Sequence, residues 1–240
     1  MRRFLPFFLL LLPFLAPNSP ALAAEGLLFS IAPVRPVAGG AAVLKAAYAR
    51  LGIPVTFKSY PARRGLTEAN QGVTDGEAVR MGGLSAELPN LIQIEPPIAT
   101  VQGVAVTCDP SLHVESRADL IHLRVGVHPG IRLSDKLTDG LEHVTKGQWD
   151  QLFRMLHRNR LDVVIGYDGI ERTQAGQPGA ARLRVIRPKS WYAPLYHYLN
   201  RKHADEVPRI EAELRRMRDS GEMRRILDAA RNEHLGPTGK

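Results

Sequence analysis

The chain has 240 residues, 44% hydrophobic and 23% charged, with a formal net charge of +8 and one cysteine, Cys108. A single cysteine excludes an intramolecular disulfide and argues against a cysteine-based metal site, so stability has to come from burial. The lysines and arginines are scattered and not interleaved with aromatics, which argues against a nucleic-acid partner.

Arg2 and Arg3 precede an apolar run over residues 4–15, broken by Pro6 and Pro13, and Ala21-Leu22-Ala23 follows. This is the pattern of a secretory signal, residues 1–23, cleaved near Ala23 and directing the mature chain to the periplasm. No cysteine follows that position to carry a lipid, and no later run approaches the ~20 apolar residues of a spanning helix, so no membrane insertion of the mature chain is expected. Loss of Arg2 and Arg3 lowers the charge from +8 to +6.

The mature chain opens with a buried strand at residues 26–32 (GLLFSIA), and residues 33–36 (PVRP) turn out of it. Residues 41–51 (AAVLKAAYARL) form a helix stopped by Gly52, and residues 53–59 (IPVTFKS) form a second strand. Pro61 opens a second helix. A strand carrying Asp75-Gly76-Glu77 follows and delivers Arg80 to its C-terminal end, before Gly82-Gly83. A short strand at residues 91–94 stops at Pro96-Pro97, and residues 99–107 (ATVQGVAVT) form a longer one. Alternation of strand and helix predicts βαβ units and parallel sheets covered on both faces.

The pattern restarts with a strand at residues 123–127, the turn Pro129-Gly130, Ser134 as a candidate N-cap, and a strand at residues 141–145. Residues 148–158 (QWDQLFRMLHR) place Trp149, Leu152, Phe153 and Leu156 on one helical face. Residues 161–165 (LDVVI) form a buried strand ending in the loop Gly166-Tyr167-Asp168-Gly169. A marginal helix at residues 171–174, a strand at residues 183–186 and a connection back at residues 191–199 follow. Val207, Ile210, Leu214 and Met217 share a face of a late helix, broken by Gly221, and the segment from Gly236 is a frayed tail. Two α/β lobes with a cleft between them are expected, and such a cleft suits a small molecule.

In open α/β sheets ligands sit beyond the carboxyl ends of the strands, so Arg80 is a candidate for an acidic group. Its alternative is a surface charge paired with Glu77 or Glu87. Asp75 and Glu77 could couple in titration, although a strand cap or an ion pair with Arg64 or Arg80 is the simpler role. His197 and His203 are the one histidine pair near helical spacing, and no metal or other cofactor is expected.

The segments PARRGLTEANQGVTDGEAVRMGGLSAELPNLIQIEPPI, RVGVHPGI, LHRNRLDVVIGYD and LYHYLNRKHADEVPRIEAELRRMRDSGEM, in that order, resemble the family 3, amino-acid-binding kind of type II periplasmic solute-binding proteins. The resemblance implies two lobes, each a mostly parallel sheet flanked by helices, joined by two hinge strands and closing on a ligand. It places lobe 1 at residues 24–102 plus 191–235, lobe 2 at residues 103–190 and a tail at residues 236–240. It implies a ligand carboxylate gripped by an arginine, here Arg80 with Arg64 as second candidate and Glu77 beside them. Backbone donors would come from Gly130 and Ile131, and an amine-binding acid from Asp168, whose alternative is a solvated turn residue. The family's threonine-rich segment and its arginine are absent, as Gly83-Leu84-Ser85-Ala86-Glu87 stands there, and the aromatic of the first loop is also missing.

The implied function is a monomeric, non-enzymatic binding protein that captures a small polar, anionic solute (an amino acid or organic acid) for an inner-membrane ABC permease. A dehydratase-like enzyme using Glu77 as buried acid, and a ligand-poor sensory protein, are the alternatives.

Overall fold

Short apolar runs bounded by Gly and Pro set the strands, and alanine- and leucine-rich stretches between them set the helices. The computed structural model describes residues 26–33 and 37–235. The expected signal sequence, most of the turn at residues 33–36 and the expected frayed tail from Gly236 lie outside the described residues.

The first half contains β1 (Leu27–Ile31), α1 (Val37–Arg50), β2 (Val55–Ser59), α2 (Ala62–Asn70), β3 (Gly76–Met81), a 3-10 turn (Leu84–Ala86) and β4 (Leu91–Thr107). The second half contains β5 (Val125–Val127), α3 (Arg132–Thr138), β6 (Val144–Lys146), α4 (Trp149–His157), β7 (Val163–Tyr167) and β8 (Arg184–Ile186). The chain closes with β9 (Tyr192–Asn200), α5 (Val207–Asp219) and α6 (Glu222–Leu235). The strand order is β2-β1-β3-β9-β4-β7-β5-β6, with β8 also on β4.

Parallel pairing joins β2, β1 and β3 on one side and β6, β5 and β7 on the other. Between these parallel sets the sheet turns antiparallel, because β9 pairs with β3 and β4, and β4 pairs with β7. β4 changes partner along its length: it pairs with β9 through Gln102 and with β7 from Gly103. At that crossing the Gly103 N–H donates to the Trp191 carbonyl at 2.7 Å, and a Cβ on Gly103 would meet the same oxygen at 3.3 Å.

Several expectations are corrected. The strand expected to stop at Pro96-Pro97 continues as one strand through Thr107, with a register shift between Ile94 and Ala99 that absorbs the two prolines, which lack ladder donors. The expected connection at residues 191–199 is instead a central strand, Tyr192–Asn200. α1 starts earlier, at Val37, and runs through Gly39-Gly40; Gly40 packs closely there, as a Cβ would come within 2.8 Å of the Val79 side chain. Ser134 lies buried inside α3, whose N-cap is Ile131. Cys108, which follows the apolar run Val104-Ala105-Val106 and so would be expected as a buried thiol, is only partly buried, with Sγ 3.5 Å from His157 Nδ1.

The C-terminal helices pack on the first half. α6 lies against α1, α5 against β4, and Arg50 at the end of α1 bridges Glu213 (3.1 Å) and Glu222. Ile210, Leu214 and Met217 are buried as their spacing requires. β7 is buried along its whole length, the mark of a strand covered on both faces.

β3 and β9 approach so closely that a Cβ on Gly76 would lie 2.1 Å from the Tyr198 carbonyl oxygen. Gly76→Ala should therefore lower unfolding free energy by about 3 kcal/mol, since backbone rather than a movable side chain must yield. Urea denaturation checks this, and a loss below about 1 kcal/mol would show that the pairing relaxes freely.

Candidate functional site

The C-terminal end of β3, the start of α2 and the turn before α3 face one another around a cavity of about 500 Å³. β3 contributes Val79, Arg80 and Met81, α2 contributes Arg63 and Leu66, and the opposite side contributes Gly130, Ile131, Arg132, Leu133 and Tyr167. This is the position that strand direction dictates, beyond the carboxyl ends of β3 and β7. Gly83 and Gly130, both at φ +86, make the reversals that bring Leu84 and Leu133 onto the wall.

Of the three arginines on the cavity wall, Arg80 is the least exposed. Its Nη2 donates to the Ala62 carbonyl at 2.9 Å, and its Nε lies 3.0 Å from Glu77 Oε1. The Glu77 side chain has no exposure and that of Arg80 only 14%. Ser30 Oγ lies 2.5 Å from the other Glu77 oxygen. Burial pushes the Glu77 carboxyl up to about 7, against the opposing pull of the Arg80 charge and the Ser30 hydroxyl. The expected Glu77–Arg80 pairing is thus present, and it coexists with Arg80 lining the cavity.

The remaining sequence candidates divide. Gly130 and Ile131 line the cavity. Arg64 is not among its lining residues: it pairs with Glu68 at 3.2 Å and lies over the Tyr60 ring, 5.6 Å from the centroid. Asp168 is also off the wall, half-exposed and held by Arg187 Nε at 2.9 Å. Glu77 sits behind Arg80, enclosed between β1, α2 and β9. Asp75 caps β1 through the Leu28 N–H (2.7 Å) and bonds Lys202 and His203, the strand-cap role.

Sequence reasoning missed Arg63, Arg132, Asp135 and Tyr167, all of which line the cavity. Helical phase identifies the first: Arg63, Leu66 and Thr67 are spaced i, i+3 and i+4 on one face, whereas Arg64 shares its face with Glu68. Arg132 and Asp135 follow directly from the Pro129-Gly130 turn. Arg132 reaches across to Glu87 at 3.0 Å, joining α3 to the chain after the 3-10 turn. Trp149 stacks on His128 (4.9 Å) and meets the Tyr167 ring edge-on at 6.0 Å, so an indole reports on a cavity residue. Among the described residues no cluster of His, Cys, Asp and Glu could hold a metal ion.

No protein-family model matches the chain. An uncharacterized protein of Shewanella oneidensis is 24% identical over 193 residues, 77% of this chain and 73% of that protein. Among solved structures, the GluR0 ligand-binding core in complex with L-glutamate matches with a TM-score of 0.70 at 13% identity, covering 86% of this chain and 98% of that one. A histidine kinase sensor domain with similarity to periplasmic binding proteins matches with a TM-score of 0.66 at 15% identity, covering 89% and 97%. An ancestral amino-acid-binding protein, a precursor of cyclohexadienyl dehydratase, matches with a TM-score of 0.64 at 14% identity, covering 84% and 94%. Together with the strand order and the cavity, these likenesses show the fold: the chain adopts the two-lobed type II periplasmic binding protein architecture.

Proposed function

We propose that this protein is a periplasmic solute-binding protein of the family 3 kind, which captures a small anionic solute between its lobes and delivers it to an ABC-type importer. Lobe 1 then comprises residues 24–102 and 191–235, lobe 2 residues 103–190, and the mature chain acts as a monomer. The observation that carries this reading is Arg80, held by Ala62 and Glu77 on the wall of a cavity lined from both halves of the sheet. A guanidinium fixed before the ligand arrives loses little freedom on binding, which favours affinity. No helix among the described residues is long and apolar enough to cross a membrane.

One observation favours a second reading, the dehydratase-like enzyme. Glu77, raised to about 7, has the acidity of a general acid. Its side chain is nevertheless fully enclosed and absent from the cavity lining, whereas a proton donor must reach its substrate. An assay with a prephenate-like acid decides between the two: product formation would replace binding by catalysis.

Two variants test the binding reading. Arg80→Ala should abolish stabilisation by carboxylate solutes in a thermal-shift screen while keeping a cooperative melt, because Glu77 left alone takes a proton rather than a buried charge. Unchanged ligand stabilisation in that variant would remove Arg80 from the site. Arg132→Ala breaks the half-exposed contact with Glu87, and release followed by Trp149 fluorescence should quicken by about threefold with little loss of stability. An unchanged release rate would show that this pair does not hold the cleft shut.

A further inference from the structure

The Glu77 carboxyl is placed so that it can take up a proton and hold it. Its Oε2 lies 2.5 Å from Ser30 Oγ, and the carbonyls of Gly65 and Gly76 each lie 3.1 Å from the same hydroxyl. A serine hydroxyl has one hydrogen to donate and here faces three acceptors. A proton on Glu77 eases the conflict: the acid donates to Ser30 Oγ, and Ser30's own hydrogen is left for the two carbonyls alone. On the other side, Glu77 Oε1 and Arg80 Nε lie 3.0 Å apart without an aligned hydrogen bond.

The neighbours of Glu77 leave it as the group that changes charge. β1 offers the neutral Ser30, and α2 packs through Gly65, where a Cβ would lie 3.1 Å from Oε2. α2 also carries Arg63 on the cavity wall and Arg64, bound to Glu68. From β9, Tyr198 sits opposite Glu77 in register, and His197 Nδ1 faces the Glu77 carbonyl at 3.1 Å while its Nε2 faces the Tyr48 hydroxyl at 2.9 Å. Burial holds His197 down to about 4 and raises both tyrosines, so none of them changes charge near neutrality. Burial raises Asp75, but bonds from Leu28, Lys202 and His203 outweigh it and hold that carboxyl low.

The charges on the cavity wall make this proton matter. Arg63, Arg80 and Arg132 face Glu87 and Asp135, with Glu77 behind Arg80. With Glu77 ionised the arginines are balanced; with Glu77 protonated one positive charge is unmatched. The rest of the wall is largely apolar, including Val79, Met81, Leu84, Leu133 and Leu195. An ammonium group would find one acid there, Asp135, because Asp168 is held by Arg187 off the wall and Glu87 is taken by Arg132. Asp135 lines this cavity and, with Arg63, also an adjoining hollow of about 470 Å³ that Arg80 does not line, so it is shared between the two spaces and sits beside a second cation.

We propose that the cavity takes a monocarboxylic acid with an apolar body and no ammonium group, holding its carboxylate on Arg80 while a proton from solvent settles on Glu77. This rests on the binding-protein reading above and narrows its ligand. The anion reinforces protonation of Glu77, and protonation frees the Arg80 charge for the anion, so each favours the other by linkage.

The test is isothermal titration calorimetry of the protein with 3-phenylpropionate and hexanoate, and with phenylalanine as the ammonium-bearing counterpart of the first, in buffers of different ionisation enthalpy. Both monocarboxylates should bind with uptake of between about half and one proton each at about pH 7.5. Their association constants should fall about tenfold or more from about pH 6 to about pH 8.5, the direction set by loss of the Glu77 proton. Phenylalanine should bind at least about tenfold more weakly than 3-phenylpropionate. Glu77→Gln fixes a neutral side chain, so binding should persist without proton uptake and vary less than about twofold over that range. Should that variant fail to fold, proton uptake by the unmutated protein carries the test. Binding without proton uptake, or tighter binding of phenylalanine, would overturn the proposal. If amino acids bind and monocarboxylates do not, this inference falls and the binding-protein reading stands. If neither class binds, that reading falls and takes this one with it.

Discussion

The contact between Glu77 and Arg80 at the end of β3 is the constraint around which the site is built. A carboxylate and a guanidinium buried together lose hydration that their mutual attraction only partly restores. The fold accepts this by supplying Ser30 to one carboxyl oxygen and the Ala62 carbonyl to the guanidinium. The result is an arginine held from two sides, with its charge only partly cancelled and its face toward a cavity. A freely rotating surface arginine would have to be ordered by each ligand; this one is ordered by the protein.

The sheet places that arginine opposite something to close against. β4 and β9 run through both halves, and β4 exchanges β9 for β7 between Gln102 and Gly103. The ends of the two parallel sets therefore look toward one another across these strands. α2 and the 3-10 turn form one jaw, and the turn before α3 forms the other. Tyr167 at the end of β7 and Val101 on β4 line the space between them. The architecture alone does not choose a ligand, because one fold hosts many functions; the proposed ligand rests on the mixture of arginines and aliphatic side chains on the wall.

Much of the fold was legible because its signals are local. The buried strand of β7, the amphipathic face of α4 and the Ile210, Leu214 and Met217 stripe of α5 follow from periodicity within a few residues. What sequence hid was non-local. Nothing local shows that β4 continues past Pro96-Pro97, since that depends on β9 pairing on both sides of the shift. Nor does local pattern show that β9 is a central strand, because its partners lie about a hundred residues away in β3 and β4. On the cavity wall, Arg80 was legible from strand direction, and Gly130 and Ile131 from the turn and the resemblance. Arg64 falls off that wall by one residue of helical phase. Asp168 also lies off it, its carboxylate captured by Arg187, nineteen residues on.

The central claim is that Arg80 is where an acidic ligand is held, and the most direct measurement is a crystal structure of the mature protein with a carboxylate bound. The account predicts that the ligand carboxylate sits on the Arg80 guanidinium, with its body against Leu84, Leu133 and Leu195. A ligand seated on Arg63 or Asp168, with Arg80 turned away and bonded only to protein, would contradict it.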